Sequence, residues 1–300
     1  MPKSLFSSVS VLALSLLGAA ALPAAEPTAA ILDIRKNSAG TETQTHGIVL
    51  SAHPSLVITV ASAVEEKDSF TSRHAASETK AAVGLFDSSS RILVLKPEAA
   101  PSGEASRPAA GAPAAGSKLR WLNSAGPQPA MDAGPIKQLD GRALALTLRR
   151  VHFGSSDPDL APIPGTPVFN DAGEVTALAL SSFSEDPGAW LCLPIAAAAK
   201  LADDYAATGH AETGRLDLGI AVGTTTPRVE FVKAGSRAEK AGLQAGDILL
   251  ELNGRPLADV FDVLDANFYL TTRNPVPIRL LRGLDTLILT APAVPPAAKE

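Results

Sequence analysis

The sequence predicts a mainly β protein built from two folded regions. From Ile31 to about Leu193, short apolar segments are separated by Gly, Pro, Ser and Asn, a spacing typical of β-barrels and β-sandwiches. After Gly214 the pattern changes to strands mixed with short helical segments. The chain has 300 residues, of which 46% are hydrophobic and 19% charged, so it can bury two cores of ordinary domain size.

Charge and cysteine content exclude several functional classes. The formal net charge of −5 provides no basic surface for wrapping nucleic acid. The single cysteine, Cys192, excludes an intramolecular disulfide framework and a cysteine-clustered zinc site. The histidines show no metal-ligand spacing, and neither a phosphate-binding glycine loop nor a dinucleotide fingerprint is present. We therefore expect no cofactor.

The N-terminal 25 residues have the composition of a secretory signal peptide. Lys3 is followed by the uncharged apolar run Val9–Ala21, and small residues then allow cleavage after Ala21 or Ala25. The run is shorter than the ~20 apolar residues that span a bilayer, so a short membrane anchor is the weaker interpretation. The sequence thus predicts an exported protein, periplasmic or secreted and of bacterial origin, that meets the membrane only transiently.

Within the first region, the strand predictions rest on compact apolar runs, namely Gly47–Leu50, Leu56–Val60, Ile92–Leu95, Leu144–Leu148 and Val175–Leu180. Residues 97–117 consist mostly of Pro, Ala, Gly and Ser, which predicts a flexible surface loop rather than a folded element. Helical spacing then runs from Pro194 to about Ala207, with Gly209 as the stop; its apolar face comprises Ile195, Ala198, Leu201 and Tyr205.

The second region predicts strands at Val229–Val232 and Ile248–Leu252, a helical turn at Ala238–Gly242 and a tight turn at Asn253-Gly254. One amphipathic helix follows, with an apolar face of Leu257, Val260, Phe261, Leu264 and Phe268. Two final strands, Val276–Leu281 and Leu284–Leu289, meet at Arg282-Gly283. This order of elements predicts an α+β domain.

The second region resembles a PDZ domain. The resemblance rests on Leu218-Gly219-Ile220, on the run Ala234–Ile248 (AGSRAEKAGLQAGDI) and on Glu251–Arg255, and it covers nearly all of residues 214–292. It implies that a peptide C-terminus adds a strand beside Ile220–Val222, with its carboxylate held by backbone N–H groups around Gly219. Gly219 is expected to be needed because a side chain there would obstruct the carboxylate or forbid the backbone angles.

The peptide-binding residues that this resemblance implies are Leu218, Gly219, Ile220, Ala221, Val222, Val260 and Leu264. The last side chain of the ligand would enter a pocket lined by Leu218, Ile220, Val222, Val260 and Leu264. A second interpretation is that these residues only form the core of a small domain. For Leu264 the sequence does not choose between core and pocket.

The first region resembles the trypsin-fold domain of HtrA-type serine proteases. A signal peptide, a β-rich domain, a helix and a PDZ domain follow one another in the order of that family. The stretches that match it locally are Gly47–Leu50 with Val57–Val64, Ser90–Lys96, Pro162–Asn170 with Gly173–Val175, and Trp190–Ile195. The resemblance implies a degenerate trypsin-like double β-barrel followed by an α+β PDZ domain.

All three catalytic positions that the resemblance implies are substituted. Ser62 stands at the histidine position, Arg91 at the aspartate position and Pro164 at the nucleophile position. Serine-type catalysis requires a hydroxyl nucleophile, a base and an orienting carboxylate. Pro164 supplies no nucleophile and no backbone N–H for an oxyanion hole, Ser62 is no base at neutral pH, and Arg91 is a permanent cation. We therefore expect a pseudoprotease rather than an enzyme.

The expected boundaries are 1–25 for the signal peptide, 26–208 for the trypsin-like domain, 209–293 for the PDZ domain and 294–300 for a tail. The expected function is recognition of C-terminal peptides or unfolded segments of exported proteins, as an adaptor or quality-control factor; an active HtrA-type relative is a further candidate partner. One alternative is a cryptic serine peptidase with its site moved to the His152–Asp159 loop, where Ser155 and Ser156 are candidate nucleophiles. Another is a structural subunit, and a homo-oligomer is compatible with the sequence.

Overall fold

The first region folds into two antiparallel barrels, as the computed structural model of the chain shows. The structure describes residues 30–111, 113, 116–123, 126–127, 131–134, 151–154, 162–182, 189–212, 216–220 and 226–294. The predicted strand Leu144–Leu148, the signal peptide, the Ser155 and Ser156 loop and the tail beyond Val294 lie outside these residues.

The first barrel is closed, in the order β1-β2-β3-β6-β5-β4. Its strands are β1 Leu32–Ser38, β2 Thr41–Ile48, β3 Val57–Val60, β4 Ser69–His74, β5 Ser77–Asp87 and β6 Ile92–Pro97. The second sheet has the order β11-β12-β13-β10-β9-β7-β8, and β11 also pairs with β7, so its main strands close on themselves. Those strands are β7 Lys118–Asn123, β8 Gly126–Pro127, β9 Met131–Gly134, β10 Val151–Gly154, β11 Pro167–Phe169, β12 Val175–Ser182 and β13 Ala189–Pro194.

The largest apolar cluster lies between the two barrels and the helix α1 (Ile195–Thr208). Ile195, Ala198 and Leu201 are buried there, and Gly209 ends the helix with a φ of +78°, as the sequence predicts. The ring of Tyr205 lies over Gly84, at a bulge in β5 where any side chain would crowd it. Cys192 is fully buried in β13.

The low-complexity segment 97–117 differs from the expectation of an unfolded loop. Ser106 exchanges backbone hydrogen bonds with the first barrel, donating to Val49 and accepting from Ser51. The next residues do the same with β12, since Val175 donates to Arg107 and accepts from Ala109. Residues 106–109 therefore tie the two barrels together, through backbone groups that composition does not reveal.

The second region is an α+β domain with its own apolar cluster. A four-stranded sheet has the order β17-β16-β18-β19, and β14 pairs with β15 in a smaller sheet. The elements are β14 Leu218–Ile220, β15 Val229–Val232, α2 Arg237–Lys240, β16 Ile248–Leu252, β17 Arg255–Pro256, α3 Val260–Phe268, β18 Val276–Arg282 and β19 Asp285–Ala291. Asn253 and Gly254 both have positive φ, as a type I′ hairpin requires.

Helix α3 begins at a capping box between Asp259 and Asp262. Its buried face consists of Val260, Val263, Ala266 and Phe268, whereas the predicted face included Phe261 and Leu264, which are only half-buried. The difference arises because α3 packs on β16 along its length, while Phe268 at its end joins the apolar cluster of the barrels. The PDZ-like domain therefore contributes the buried ring of Phe268 to the core of the other domain, and half-buried Tyr269 packs against the same cluster.

Candidate functional site

A cleft of about 230 Å³ opens between the two barrels. Ser62, Arg91 and Pro164, which are far apart in the sequence, all line it. Within the described part of the chain, the residues that line it are Lys36, Thr43, Gln44, Thr45, Val60, Ala61, Ser62, Phe70, Arg91, Leu93, Pro164 and Leu180. The structure thus brings the three predicted triad positions together, and the described residues of the lining include no histidine and no carboxylate. Their assignment to a former triad stays a prediction.

Arg91 is presented to the cleft by the tight turn that follows β5. Asp87 organises this turn, since its carboxylate accepts hydrogen bonds from the Ser89 hydroxyl (2.8 Å) and the Ser90 amide (2.8 Å). The Arg91 amide donates to the Asp87 carbonyl (2.7 Å), and the Arg91 carbonyl accepts from Ala61 (3.0 Å). With both backbone groups bound, Arg91 is held in the left-handed region at φ +66°.

The Pro164 loop crosses from the second barrel onto β2 of the first. The Pro164 carbonyl accepts from the His46 amide (2.8 Å), and the Gly165 amide donates to the Ala179 carbonyl (2.7 Å). Gly165 has a φ of +86°, and a methyl group on it would overlap the His46 carbonyl oxygen. Glycine is therefore the residue that this crossing requires. Because Pro164 has no N–H, its backbone cannot donate to a ligand in the cleft.

Sequence reasoning missed a row of polar groups in which His46 and Thr166 are buried and Asp33 is half-buried. The Nδ1 atom of His46 lies 2.7 Å from the Thr166 hydroxyl oxygen, and its Nε2 atom lies 3.6 Å from the Asp33 carboxylate. Burial lowers the pKa of His46, and Asp33 opposes this effect only in part. The neutral imidazole can therefore accept the Thr166 proton at Nδ1 while its Nε2–H faces Asp33.

This row has the acid–base–hydroxyl order of a catalytic triad, but the hydroxyl is not accessible. Thr166 is 0% exposed, and it is Pro164, not Thr166, that lines the cleft. A nucleophile has to come within van der Waals contact of the carbonyl carbon that it attacks. The arrangement therefore suits a buried structural network. The sequence gives no signal for it, since β2 and the Pro164 loop meet only in the fold.

The ammonium group of Lys36, a cation in the cleft lining, is paired with a carboxylate. Its ammonium group binds the Asp68 carboxylate (2.8 Å) and the Ala63 carbonyl (2.7 Å). The hydrogen bond from Lys36, helped by the Glu65 amide, lowers the pKa of Asp68 to about 2. The guanidinium of Arg91 has a different environment, because it is exposed and makes no hydrogen bond or ion pair with any residue that the structure describes.

The second candidate site is the predicted peptide groove beside β14. Leu218, Gly219 and Ile220 form this strand, which pairs with β15. Asn267, near the end of α3, accepts a hydrogen bond from the Leu216 amide (3.0 Å) and so ties the helix to the residues before β14. Val260 is 5% exposed and belongs more to the core than to a pocket, while Leu264 stays half-buried. Ala221 and Val222 lie outside the described residues.

The structure changes the reason for glycine at position 219. Its φ is outside the left-handed range, so the backbone angles do not require glycine. A methyl group there would instead overlap the ring of Phe231, which lies across Gly219 from β15 and is 59% exposed. The expectation based on backbone angles is therefore wrong, and the close approach of Phe231 provides a physical reason for glycine.

Across the residues that the structure describes, His, Cys, Asp and Glu side chains form no group of three that could hold a metal ion. In the same residues, no helix has the length and apolar character needed to cross a bilayer. The imidazole of His53, in the turn between β2 and β3, contacts the carboxylate of Asp203 in α1 at 2.6 Å. It therefore attaches the first barrel to the helix.

Comparison with known proteins identifies the architecture. Residues 228–281 match the family model of the PDZ domain. A probable periplasmic serine endoprotease, DegP-like, from Rhizobium meliloti (strain 1021) is 28% identical over 153 residues, which are 45% of this chain and 30% of the relative. The chain thus covers about a third of the length of that curated relative.

Solved structures of similar architecture extend over nearly the whole chain. The serine endoprotease from Yersinia pestis covers 90% of this chain and 94% of its own, with 18% identity and a TM-score of 0.58. The HtrA-type protease AlgW with a tripeptide covers 90% and 94%, with 16% identity and a TM-score of 0.65. AlgW with a decapeptide covers 91% and 97%, with 16% identity and a TM-score of 0.62. The chain therefore has the HtrA-type fold, a trypsin-like β domain followed by a PDZ domain.

Proposed function

We propose that this protein is a non-catalytic member of the HtrA type that binds peptides through its PDZ domain. Its ligands are the C-termini or exposed strands of exported proteins, and it acts in the periplasm or outside the cell as an adaptor or quality-control factor. The DegP-like relative is named as periplasmic, which agrees with the signal peptide predicted for this chain.

The observation that carries the proposal is the composition of the cleft between the barrels. A hydroxyl, a guanidinium and a proline ring converge where the resemblance puts base, acid and nucleophile. Serine-type catalysis needs a nucleophile bound to a base, and the lining residues that the structure describes include neither a histidine nor a carboxylate. The chemistry of the lining thus supports binding rather than hydrolysis.

Peptide binding is supported by the PDZ domain itself. An extended peptide can add to a sheet edge such as β14, where main-chain hydrogen bonds supply affinity and a side-chain pocket supplies selectivity. The AlgW structures, which share the fold, were solved with a tripeptide and with a decapeptide. Half-buried Leu264 on α3 is the residue that we assign to the pocket for the last side chain of the ligand.

The second candidate is a cryptic peptidase, and the Asp33–His46–Thr166 row is the observation that favours it. Its Thr166 hydroxyl would have to become exposed before it could attack a carbonyl carbon. A change of that size would break the His46–Pro164 hydrogen bond between the two barrels. We therefore rank the enzyme below the binding protein.

The test measures binding of C-terminal peptides to the purified chain by fluorescence anisotropy, each peptide offered as the free acid and as the amide. We expect the free acid alone to bind, and we expect Gly219→Val to abolish binding. Glu251→Gln, an exposed change in the same domain, is the control. Equal binding of acid and amide would contradict a PDZ-type groove.

The same preparation is assayed with fluorescent casein and a fluorophosphonate probe. The proposal expects no hydrolysis and no incorporation of the probe. Hydrolysis that is lost in Thr166→Val would establish the peptidase instead, and folding of that variant would be checked by circular dichroism.

A further inference from the structure

The last strand of the four-stranded PDZ sheet, β19, has a neighbouring strand on one side only. It pairs with β18 along its whole length, from Asp285 opposite Arg282 to Ala291 opposite Val276. Among the residues that the structure describes, no backbone group outside β18 bonds to residues 285–290. Free N–H and C=O groups along a strand edge can pair with an extended segment of another chain.

The hairpin turn determines which residues of β19 have their backbone groups at this open edge. A two-residue turn, Gly283-Leu284, joins β18 to β19, and the residues that flank such a turn bond to each other. Because bonding alternates along an antiparallel pair, every second residue after Asp285 directs its N–H and C=O groups away from β18. These residues are Thr286, Ile288 and Thr290.

Pro277 of β18 provides an independent check of this alternation. It lies opposite Thr290, and its carbonyl accepts a hydrogen bond from the Asn253 amide (2.9 Å), on the side of β18 that faces β16. Proline also has no N–H to donate to β19. The backbone groups of Thr290 therefore have no partner on β18 and point to the open edge.

The open edge has a palindromic sequence. Residues 286–290 read Thr-Leu-Ile-Leu-Thr. If a second copy of this strand paired antiparallel about a twofold axis at Ile288, each residue would lie opposite a residue of its own type. The outward backbone groups of the edge residues would all find partners in this register, and β-branched residues opposite one another favour such pairs.

The side chains of this edge are apolar or uncharged. Ile288 is 73% exposed, while Leu287 and Leu289 are half-buried against the core of their own domain. Residues 286–290 carry no charge that would repel a second copy. Edge strands that avoid pairing often contain a lysine, a proline or a bulge, and this segment contains none of these.

We propose that β19 is a dimer interface, at which β19 of a second copy of this chain pairs antiparallel about a twofold axis at Ile288. The two four-stranded sheets then form one continuous sheet, and Leu287 of one copy packs against Leu289 of the other. One pair of short strands covers less than the roughly 1,200–2,000 Å² of stable interfaces, so the dimer dissociates on dilution.

The dimer leaves the predicted peptide groove accessible to a strand partner, because β14 and β15 form a separate sheet. Each dimer therefore carries two β14 strands. Two linked sites bind a partner that has several exposed chain ends more tightly than one site does. This consequence rests on the proposed peptide binding, whereas the dimer itself does not.

Sedimentation velocity of the purified chain, over about a hundredfold range of concentration, measures the association. We expect the mass to double as the concentration rises. Ile288→Lys places two lysines next to each other at the axis and should weaken the association at least tenfold. The matched control is Glu230→Lys, which adds a lysine at an exposed position of the smaller sheet and should leave the association unchanged.

Two double variants test the register. In Thr286→Lys/Thr290→Glu, each lysine lies opposite a glutamate of the second copy, and the dimer should be retained or strengthened. In Thr286→Lys/Thr290→Lys, like charges lie opposite each other, and the association should weaken at least tenfold. Residues four apart in one strand are about 13 Å apart, so this difference does not arise within a single copy.

Cross-linking gives a readout that adds no charge to the edge. Cys192, the only native cysteine, is fully buried. The Cα atoms of a hydrogen-bonded antiparallel pair are about 5.5 Å apart, which a disulfide can span. Oxidation of Ile288→Cys should therefore link two copies, whereas Arg279→Cys, opposite Ile288 on β18 and so one strand further from the axis, should not link them.

Four results would overturn the proposal: a mass that does not change with concentration, association that survives in Ile288→Lys, equal association of the two double variants, or no cross-link in Ile288→Cys. Circular dichroism checks that each variant is folded. Because no peptide ligand enters these experiments, failure of the dimer is distinct from failure of the peptide groove.

Discussion

His46 and Thr166 join the two barrels by a buried hydrogen bond of 2.7 Å between imidazole Nδ1 and the hydroxyl oxygen. His46 belongs to β2 of the first barrel, and Thr166 follows Pro164 in the loop from the second. The contact also sets the protonation state of the histidine, because an imidazole held between two barrels is cut off from water.

Replacement of this hydroxyl should destabilise the protein. Thr166→Val keeps the shape but leaves His46 Nδ1 buried without a partner, which costs about 1–3 kcal/mol of the free energy of unfolding. Urea unfolding at pH 7 measures this loss of stability. Thr166→Ser, which retains the hydroxyl, should recover most of the loss. If the Val and Ser variants were equally stable, the hydrogen bond would contribute nothing.

The lowered pKa of His46 predicts a dependence of stability on pH. Below its ordinary value of 6.5, the unfolded chain binds a proton at His46 while the folded chain does not. The contribution of the neutral His46 to the free energy of unfolding is therefore complete above pH 6.5. It is lost as the pH falls towards the pKa that His46 has in the folded state. His46→Gln should flatten this part of the profile, whereas His210→Gln, at an exposed position, should leave it unchanged.

The ion pair between Asp247 and Arg282 should contribute more to the free energy of unfolding than any exposed ion pair of the PDZ domain. Asp247 is 1% exposed and accepts hydrogen bonds of 2.7 and 2.8 Å from the guanidinium, as well as one from the Gln244 amide. Asp247→Asn should cost about 3 kcal/mol, because it leaves a partly buried cation without its charge partner.

The matched control for Asp247→Asn is Glu251→Gln, which breaks the exposed pair with Arg279 on the same sheet. That change should cost less than about 0.5 kcal/mol. Burial raises the pKa of Asp247, but the Arg282 and Gln244 bonds outweigh it and leave the pKa below its ordinary value. The stability due to this pair should therefore be lost as the pH falls into the acid range, and Asp247→Asn should not show that loss.

The contact between Gly219 and Phe231 predicts non-additive effects on stability. Gly219→Ala places a methyl group against the Phe231 ring, and rotation of this exposed ring should cost about 1 kcal/mol. In a Phe231→Ala background the same methyl group meets no ring, so the cost should vanish. Thermal unfolding of the two single variants and the double variant measures the coupling. Additive effects would show that Gly219 is needed for another reason.

Phe268 should couple the unfolding of the two domains. Its ring is 6% exposed within the barrel cluster, and Lys200 of α1 lies 5.5 Å from the ring centre. Phe268→Ala should cost about 3 kcal/mol and separate one calorimetric transition into two. The control is Phe261→Ala on the same helix, where the side chain is half-buried. A single transition in Phe268→Ala would show that other contacts couple the domains.

The spacing of apolar residues predicted the buried face correctly where an element packs against a single neighbouring part of the fold. Helix α1 agrees with its 3.6-residue spacing because it lies against the barrels along its length, and Gly209 ends it where the left-handed conformation is needed. Helix α3 was predicted as a helix with a partly wrong face, since it contacts its own sheet and, through Phe268, the other domain. A helix that contacts two different partners has two buried faces, and one 3.6-residue spacing of apolar residues does not predict both.

The candidate site was predictable only in part. Ser62, Arg91 and Pro164 were found because each lies in a stretch that resembles a family motif, and the fold places all three at one cleft. Asp33, His46 and Thr166 carry no such signal, because their hydrogen bonds depend on how β2 meets a loop of the other barrel. The same holds for residues 106–109, whose bonds use only backbone atoms.

The turn from Asp87 to Arg91 makes the sign of the cleft's charge easy to reverse. Its hydrogen bonds involve the backbone of residue 91 and the side chains of its predecessors, so the residue at 91 determines the charge but not the loop. Left-handed backbone is tolerated better by Asp or Asn than by Arg. Arg91→Asp should therefore be accepted without repacking and would replace a positive charge in the cleft lining with a negative one. A single substitution would then reverse the sign of the charge at this position, while Asp87 would keep the geometry of the turn.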